Sequence, residues 1–166
     1  LPKIETKIGS PLSPYAITKY CGELYANIFQ SLYGMEMIGL RYFNVFGPRQ
    51  DPEGMYAAVI PKFVQSLINH ESPKIHGDGL QSRDFTYIDN VVEMNLLALK
   101  TKSNSAVGVN YNVACGQRLT VNDLFATIKS LLITFDKKIE SINSEYVPPR
   151  PGDIPHSLAS IERAKD

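Results

Sequence analysis

The sequence predicts an α/β fold of the doubly wound kind, and three observations predict it. A helical stretch from Pro14 to about Tyr33 leads straight into residues 35–43, a mostly apolar run of the sort that a buried parallel strand carries. Helix followed by buried strand is half of a doubly wound repeat. Residues 44–54, rich in Gly, Pro, Asn and Asp, then form a long loop. Loops at the carboxyl ends of parallel strands are where open α/β sheets place their ligands. The alternation then recurs along the chain, with helices expected from near Pro61, Asp89 and Val121 and short strands between them.

Taken in order, residues 1–12, with Pro2, Gly9, Pro11 and alternating Lys and Glu, read as a loop. Ser13 suits the N-cap of the first helix and Pro14 its first turn, while Gly34 supplies the left-handed position that ends it. The apolar stripe Ile17, Cys21, Leu24, Ile28 and Leu32 is expected to dock this helix. In the helix from Pro61, Phe63, Val64, Leu67 and Ile68 point to the core. Lys74-Ile75-His76 reads as a short strand before Gly77-Asp78-Gly79, and Arg83-Asp84-Phe85 resumes an extended segment. Asp89 can cap a helix reaching about Lys100, with Val92, Leu96 and Leu99 on one side. Residues 109–114 alternate as a strand does, and Thr120 with Asp123 resembles a capping box opening a helix through Leu132. The tail, residues 146–155, holds four prolines and a glycine. Its composition fits either an ordered loop tied down by something or a flexible end.

The chain has 166 residues, enough for a real core, and balances 17 basic against 17 acidic side chains. That balance gives no electrostatic reason to expect a nucleic acid or a membrane surface as partner. No apolar run approaches the ~20 residues of a spanning helix. Cys21 and Cys115 are too few for a disulfide framework and lack metal-ligand spacing, so no metal is expected, and Cys21 reads as a core residue on the apolar stripe. A reduced, cytoplasmic protein fits best. There is no internal repeat and no Gly-x-Gly-x-x-Gly or Gly-x-x-Gly-x-x-Gly after a strand. With Leu1 as first residue, the chain reads as the C-terminal part of a longer polypeptide.

Several residues invite chemistry. Tyr15 and Lys19, four apart, stack on one face of the first helix. A phenol titrates near ~10 unaided, and a neighbouring cation favours the phenolate, moving such a group toward general-base duty. Asn44, directly after the first strand, can hydrogen-bond a phosphate or sugar hydroxyl, or close its own turn. Arg83 offers a planar fork suited to phosphate oxygens, or pairs with Asp84. Arg150, held between prolines, is pre-ordered to grip an anion, and Asp153 is placed to accept bonds from ribose hydroxyls.

Ser13-Pro14-Tyr15-Ala16-x-x-Lys19 resembles the active-site segment of extended short-chain dehydrogenases/reductases, in particular the NAD-dependent nucleotide-sugar epimerases and dehydratases. The resemblance runs from about Ser10 to Pro155. It implies the C-terminal part of a Rossmann-like enzyme. Residues 1–60 would end the dinucleotide-binding domain, and residues 61–166 would form mainly the substrate-binding domain. Arg41-Tyr42-Phe43-Asn44-Val45-Phe46-Gly47-Pro48-Arg49 looks like the strand and loop after the catalytic helix in this family. There Asn44 would contact the substrate diphosphate, while Tyr42 and Phe43 would lie along the nicotinamide. The Gly77-Asp78-Gly79…Arg83-Asp84-Phe85 segment is similar to one whose Arg binds the diphosphate of a UDP-sugar. Lys74, Ile75 and His76 would recognise uracil, largely through backbone groups. Arg150-x-Gly152-Asp153 resembles a nucleotide contact. Residues 50–61 look like the loop of enzymes acting on UDP-N-acetylhexosamines or their uronic acids, with Gln50, Ala58 and Val59 beside the sugar.

The expectation is therefore the C-terminal portion of an NAD-dependent UDP-sugar 4-epimerase of the UDP-N-acetylglucosamine type, in which Tyr15 is the base and Lys19 holds the nicotinamide ribose. The resemblance further implies a homodimer through the Tyr15–Lys19 helix. A 4,6-dehydratase or uronate decarboxylase is the alternative enzyme, and a non-catalytic UDP-binding or dimerisation fragment the alternative of another class.

Overall fold

Helix α1 (Pro14–Tyr33) begins and ends where its caps predict. In the computed structural model, which describes residues 1–54, 58–150 and 153–165, the Ser13 hydroxyl accepts the Ala16 amide at 3.2 Å. Gly34 takes φ +65° and returns its N–H to the Gln30 carbonyl, a left-handed stop that a Cβ disfavours.

The elements after α1 are β1 (Gly39–Tyr42), β2 (Val45–Phe46), α2 (Val59–Ile68), β3 (Lys74–His76), β4 (Ser82–Arg83) and β5 (Thr86–Tyr87). They continue as α3 (Ile88–Lys100), β6 (Asn110–Val113), β7 (Leu119–Thr120), α4 (Val121–Ile133), β8 (Glu145–Val147) and α5 (Glu162–Lys165). Three strand pairs are parallel, β1 with β6, β2 with β5 and β3 with β8, while β4 and β7 run antiparallel. The regular strand within the apolar run 35–43 is thus four residues long, with Gly39 opposite Asn110 and Tyr42 opposite Val113.

The face on which α1 rests differs from the expected one. The stripe from Ile17 to Leu32 is exposed, Leu32 to 68%, and Cys21 is exposed with it and does not enter a core. Ala16, Tyr20, Glu23, Ala26 and Gln30 are the half-covered positions instead, at helical spacing on roughly the opposite side. The reason is what β1 and β6 present to the helix. Arg41 and Asn110 both hydrogen-bond the Glu23 carboxylate, so a polar face docks and the apolar one is left outward.

Helix α3 is turned in a similar way. Tyr87 occupies the N-cap and Asp89 sits within the first turn. Val91, Met94 and Ala98 face inward, whereas Val92, Leu96 and Leu99 are exposed. Helix α4 opens as its sequence predicts, with Thr120 Oγ1 accepting the Asp123 amide at 3.1 Å. The main core lies between α2 and α4, where Phe63 and Leu67 meet Val121, Leu124 and Ile128, with Ile75 and Ile139 closing the cluster. Val64 packs against its edge, and Ile68 is exposed.

The proline-rich tail is tied down at both ends. It starts as β8 on β3, and Pro155 accepts the Ser82 amide at 2.9 Å, while Ser82 in turn accepts the Ser157 amide at 2.9 Å. Asp84, fully buried, joins three distant segments: its carboxylate accepts the amides of Cys115 at 2.9 Å, Gly116 at 3.1 Å and Ala159 at 3.2 Å. Asp84→Ala is expected to destabilise the fold by about 3 kcal/mol or more, since each buried donor left without an acceptor costs about 1–3 kcal/mol. Urea unfolding of the variant measures this, and a loss below about 1 kcal/mol would contradict the assignment.

Candidate active site

A cavity of about 410 Å³ opens among the residues after β1, the start of α2, strand β3, strand β4 and the tail. Asn44, Gln50, Ala58, Val59, Lys74, Ile75, His76, Arg83, Arg150 and Asp153 all line it. Every substrate-side position expected from the sequence thus meets on one surface. Within the 50–61 loop, residues 55–57 lie outside the described residues, as do Pro151 and Gly152 of the tail motif.

Local geometry explains how these side chains reach the cavity. Asn44 takes φ +36° at the end of β1, a conformation that Asn tolerates better than most residues. Its Nδ2 donates to the Asp84 carbonyl at 2.8 Å, and its own carbonyl accepts the Thr86 amide at 3.3 Å. Asn44 therefore closes its turn and faces the cavity at once. Its amide carries a second N–H and an acceptor oxygen that can serve a ligand. Gln50 donates from Nε2 to the Val45 carbonyl at 3.2 Å.

Beyond β3, Gly77 and Gly79 turn the chain with φ of +78° and +75°. At Gly79 a Cβ would also run into the Asn122 amide, so the Gly-Asp-Gly turn needs glycine there for space as well as conformation. This turn delivers Arg83. Its Nη2 donates to Asp153 at 2.5 Å, and its Nη1 donates to the carbonyls of Ser82 at 3.0 Å and Pro155 at 3.3 Å. Asp84 points inward and is no partner of Arg83. The guanidinium is instead held rigid on the cavity wall by the tail. His76 faces the same tail, its Nδ1 3.1 Å from the Pro148 carbonyl, two residues before Arg150.

Cations dominate the lining. Among the described residues, Lys62, Lys74, Arg83 and Arg150 face it against the one carboxylate of Asp153, a charge pattern that attracts a polyanion such as a diphosphate. Lys62 escaped the sequence reading, although it lies one helical turn after Ala58 and Val59, and that spacing was a usable signal.

Tyr15, Lys19, Tyr42 and Phe43 stand apart from this cavity. The stacking expected for the first two is present, with Lys19 Nζ 5.2 Å from the centroid of the Tyr15 ring. Both are exposed near the start of α1. Tyr42 is exposed on β1 and donates its hydroxyl to Asn95 Oδ1 at 3.0 Å, and the Phe43 amide donates to Val113 at 3.0 Å.

A parallel-stranded α/β unit with a cationic cavity after its first strand, and a Tyr-x-x-x-Lys helix before that strand, defines a class. The chain belongs to the NAD dependent epimerase/dehydratase family, which residues 2–114 match. It is 46% identical to the UDP-N-acetylglucosamine 4-epimerase of Methanobrevibacter ruminantium, solved in complex with UDP-N-acetylmuramic acid. The two superpose with a TM-score of 0.85 over 94% of this chain and 47% of that one. It is 40% identical to the UDP-glucose 4-epimerase of Thermotoga maritima, solved with UDP-glucose, with a TM-score of 0.87 over 99% of this chain and 50% of that one. A putative UDP-glucose 4-epimerase of Methanocaldococcus jannaschii is 39% identical over 165 residues, covering 99% of this chain and 50% of that protein. The chain therefore spans about half the length of these relatives, and its α/β architecture is that of their C-terminal halves.

Proposed function

We propose that this chain is the substrate-binding part of an NAD-dependent UDP-sugar 4-epimerase acting on UDP-N-acetylhexosamines. The observation that carries the reading is the convergence on one cation-rich cavity of ten positions expected from separate segments of the chain. Asn44, Arg83 and Arg150 grip the diphosphate, Lys74, Ile75 and His76 flank uracil, and Asp153 accepts from the ribose. Gln50, Ala58 and Val59 border the sugar. The substrate is thus held by the end that does not react, which leaves the hexose free to turn over.

Tyr15 as phenolate removes the proton of the sugar C4 hydroxyl, and the C4–H bond breaks with its electron pair to give a 4-keto sugar. The ketone turns over in the cavity, hydrogen returns to C4 on the opposite face, and Tyr15 gives its proton back to the oxygen. NAD, when bound, supplies the hydride chemistry at C4. On this chain Lys19 would hold its ribose, with Tyr42 and Phe43 beside the nicotinamide. The exposed phenol, ammonium and strand end fit such a flat, hydroxylated group. No Gly-rich phosphate loop occurs in these 166 residues. Residues 1–60 would carry the cofactor-side residues Tyr15, Lys19, Tyr42 and Phe43 together with four of the cavity positions, Asn44, Gln50, Ala58 and Val59, and residues 61–166 the remaining six.

The outward stripe of α1 supports the homodimer. Ile17, Leu24, Ile28 and Leu32 are each close to half exposed or more, and a helix this apolar on its outer face buries it against another body. Leu24→Asp with Ile28→Lys in the full-length protein is expected to halve its mass in sedimentation equilibrium, and an unchanged mass would contradict the assigned interface. Two free cysteines accord with a cytoplasmic setting, and among the described residues no helix is long and apolar enough to cross a membrane.

Incubation of the full-length protein with UDP-N-acetylglucosamine tests the function. A C4 epimer of unchanged mass is expected. A product lighter by water or carbon dioxide would move the assignment to a dehydratase or decarboxylase, and UDP binding without turnover to a non-catalytic module.

A further inference from the structure

We propose that Arg41 is a positioning residue for the Tyr15–Lys19 pair, acting by holding the Glu23 carboxylate away from Lys19. The proposal rests on the reading of Tyr15 as the base. Tyr15, Lys19 and Glu23 follow at four-residue intervals, so they lie along one line of α1 with the lysine in the middle. The lysine thus stands between a phenol ring and a full negative charge. Of the two, a carboxylate one turn away is the stronger attractor for an ammonium than the face of a ring.

Lys19 nonetheless lies over the Tyr15 ring. Glu23 is turned into the sheet, where Oε1 accepts Arg41 Nε at 2.7 Å and Oε2 accepts Arg41 Nη2 at 2.7 Å. Oε2 also accepts Asn110 Nδ2 at 3.1 Å. Arg41 Nη1 donates to the Glu5 carbonyl at 3.0 Å, which pins the fork from its other side. Both side chains are about four-fifths buried. The hydrogen bond to Glu23 holds the Arg41 guanidinium above its ordinary range against the opposing effect of burial, with the charges of Glu23, Glu5 and Tyr20 acting in the same upward direction. The titratable and charged groups around this junction are Tyr15, Lys19, Tyr20 and Glu23 on α1, Arg41 on β1, Glu5 on the leading loop, and Arg163 on α5, whose Nη1 donates to the Asn110 carbonyl at 3.2 Å. Within it, Arg41 neutralises and orients the one carboxylate that sits a turn from Lys19.

Loss of Arg41 has two consequences. It removes a tie between α1 and β1, and it releases a negative charge one turn from Lys19. The released charge draws the ammonium away from the ring and disfavours the ionised phenol. The two consequences are separable, because Glu23→Gln added to Arg41→Met removes the charge without restoring the tie.

The test measures kcat and KM against pH for four full-length proteins: wild type, Arg41→Met, Glu23→Gln and the double variant. Arg41→Met is expected to lower kcat about 10- to 100-fold and to move the acidic limb of its pH profile up by roughly one unit. KM for the UDP-sugar should stay within about three-fold, because none of these residues lines the nucleotide cavity. The double variant should regain the wild-type limb and most of kcat, and Glu23→Gln alone should keep that limb. An unshifted limb in Arg41→Met, or a double variant as impaired as Arg41→Met, would overturn the proposal. Should Arg41→Met fail to fold, Arg41→Lys, which keeps the charge but not the fork, replaces it, and restoration by Glu23→Gln is read in that background. Tyr15→Phe is assayed alongside. Full activity there refutes the base itself, independently of the outcome at Arg41.

Discussion

Tyr15→Phe in the full-length protein is expected to lower kcat by about 1,000-fold while leaving UDP affinity within about two-fold, since a positioned general base contributes roughly 100- to 10,000-fold. The asymmetry follows from where the residues lie. Tyr15 is on α1, outside the cavity lined by Arg83, Arg150 and Asp153, so its hydroxyl can be removed without touching the nucleotide grip. Steady-state kinetics and UDP calorimetry on one preparation separate the two quantities. A variant that loses both equally would place Tyr15 in substrate binding, and one that loses neither would exclude it as the base.

The second large effect is expected at Arg83. Arg83→Ala should weaken UDP binding about 100-fold, because truncating one member of a charged hydrogen-bonded set costs about 2–5 kcal/mol. Two contributions add here. The diphosphate loses a rigid charge-assisted donor. Asp153, now without its 2.5 Å partner, presents an uncompensated carboxylate to the incoming phosphates. Asp153→Asn in the Arg83→Ala background should therefore recover part of the affinity, although on the proposed reading Asp153 also accepts from the ribose. Calorimetric titration with UDP reads both variants, and an Arg83→Ala affinity within about three-fold of wild type would remove Arg83 from the diphosphate site.

Much of this site was legible because its parts are short runs of chain with local causes. Ser13-Pro14 and Gly34 bound α1 through capping alone, and Gly77-Asp78-Gly79 turns because two residues need positive φ. Each of these depends on neighbours within a few residues, which a sequence displays directly. What escaped depends on partners far along the chain. The apolar stripe of α1 reported a face to be covered, but nothing in its periodicity said by what, and β1 and β6 took the opposite face through Glu23, Arg41 and Asn110. These three are 18 and 87 residues from one another along the chain, so no local pattern links them. The roles of Arg83 and Asp84 were within reach. Neighbours on a strand point to opposite faces, so an Arg aimed at a ligand put its following Asp into the interior, where three backbone amides meet it.

The fate of hydrogen at C4 tests the whole account most directly. UDP-N-acetylglucosamine deuterated at C4 is incubated with the full-length protein, and the epimer is examined by NMR and mass spectrometry. The account predicts a C4-inverted product that keeps its deuterium, because the hydrogen that leaves C4 is the one that returns to it. Deuterium lost to solvent, or a recovered sugar not inverted at C4, would contradict it.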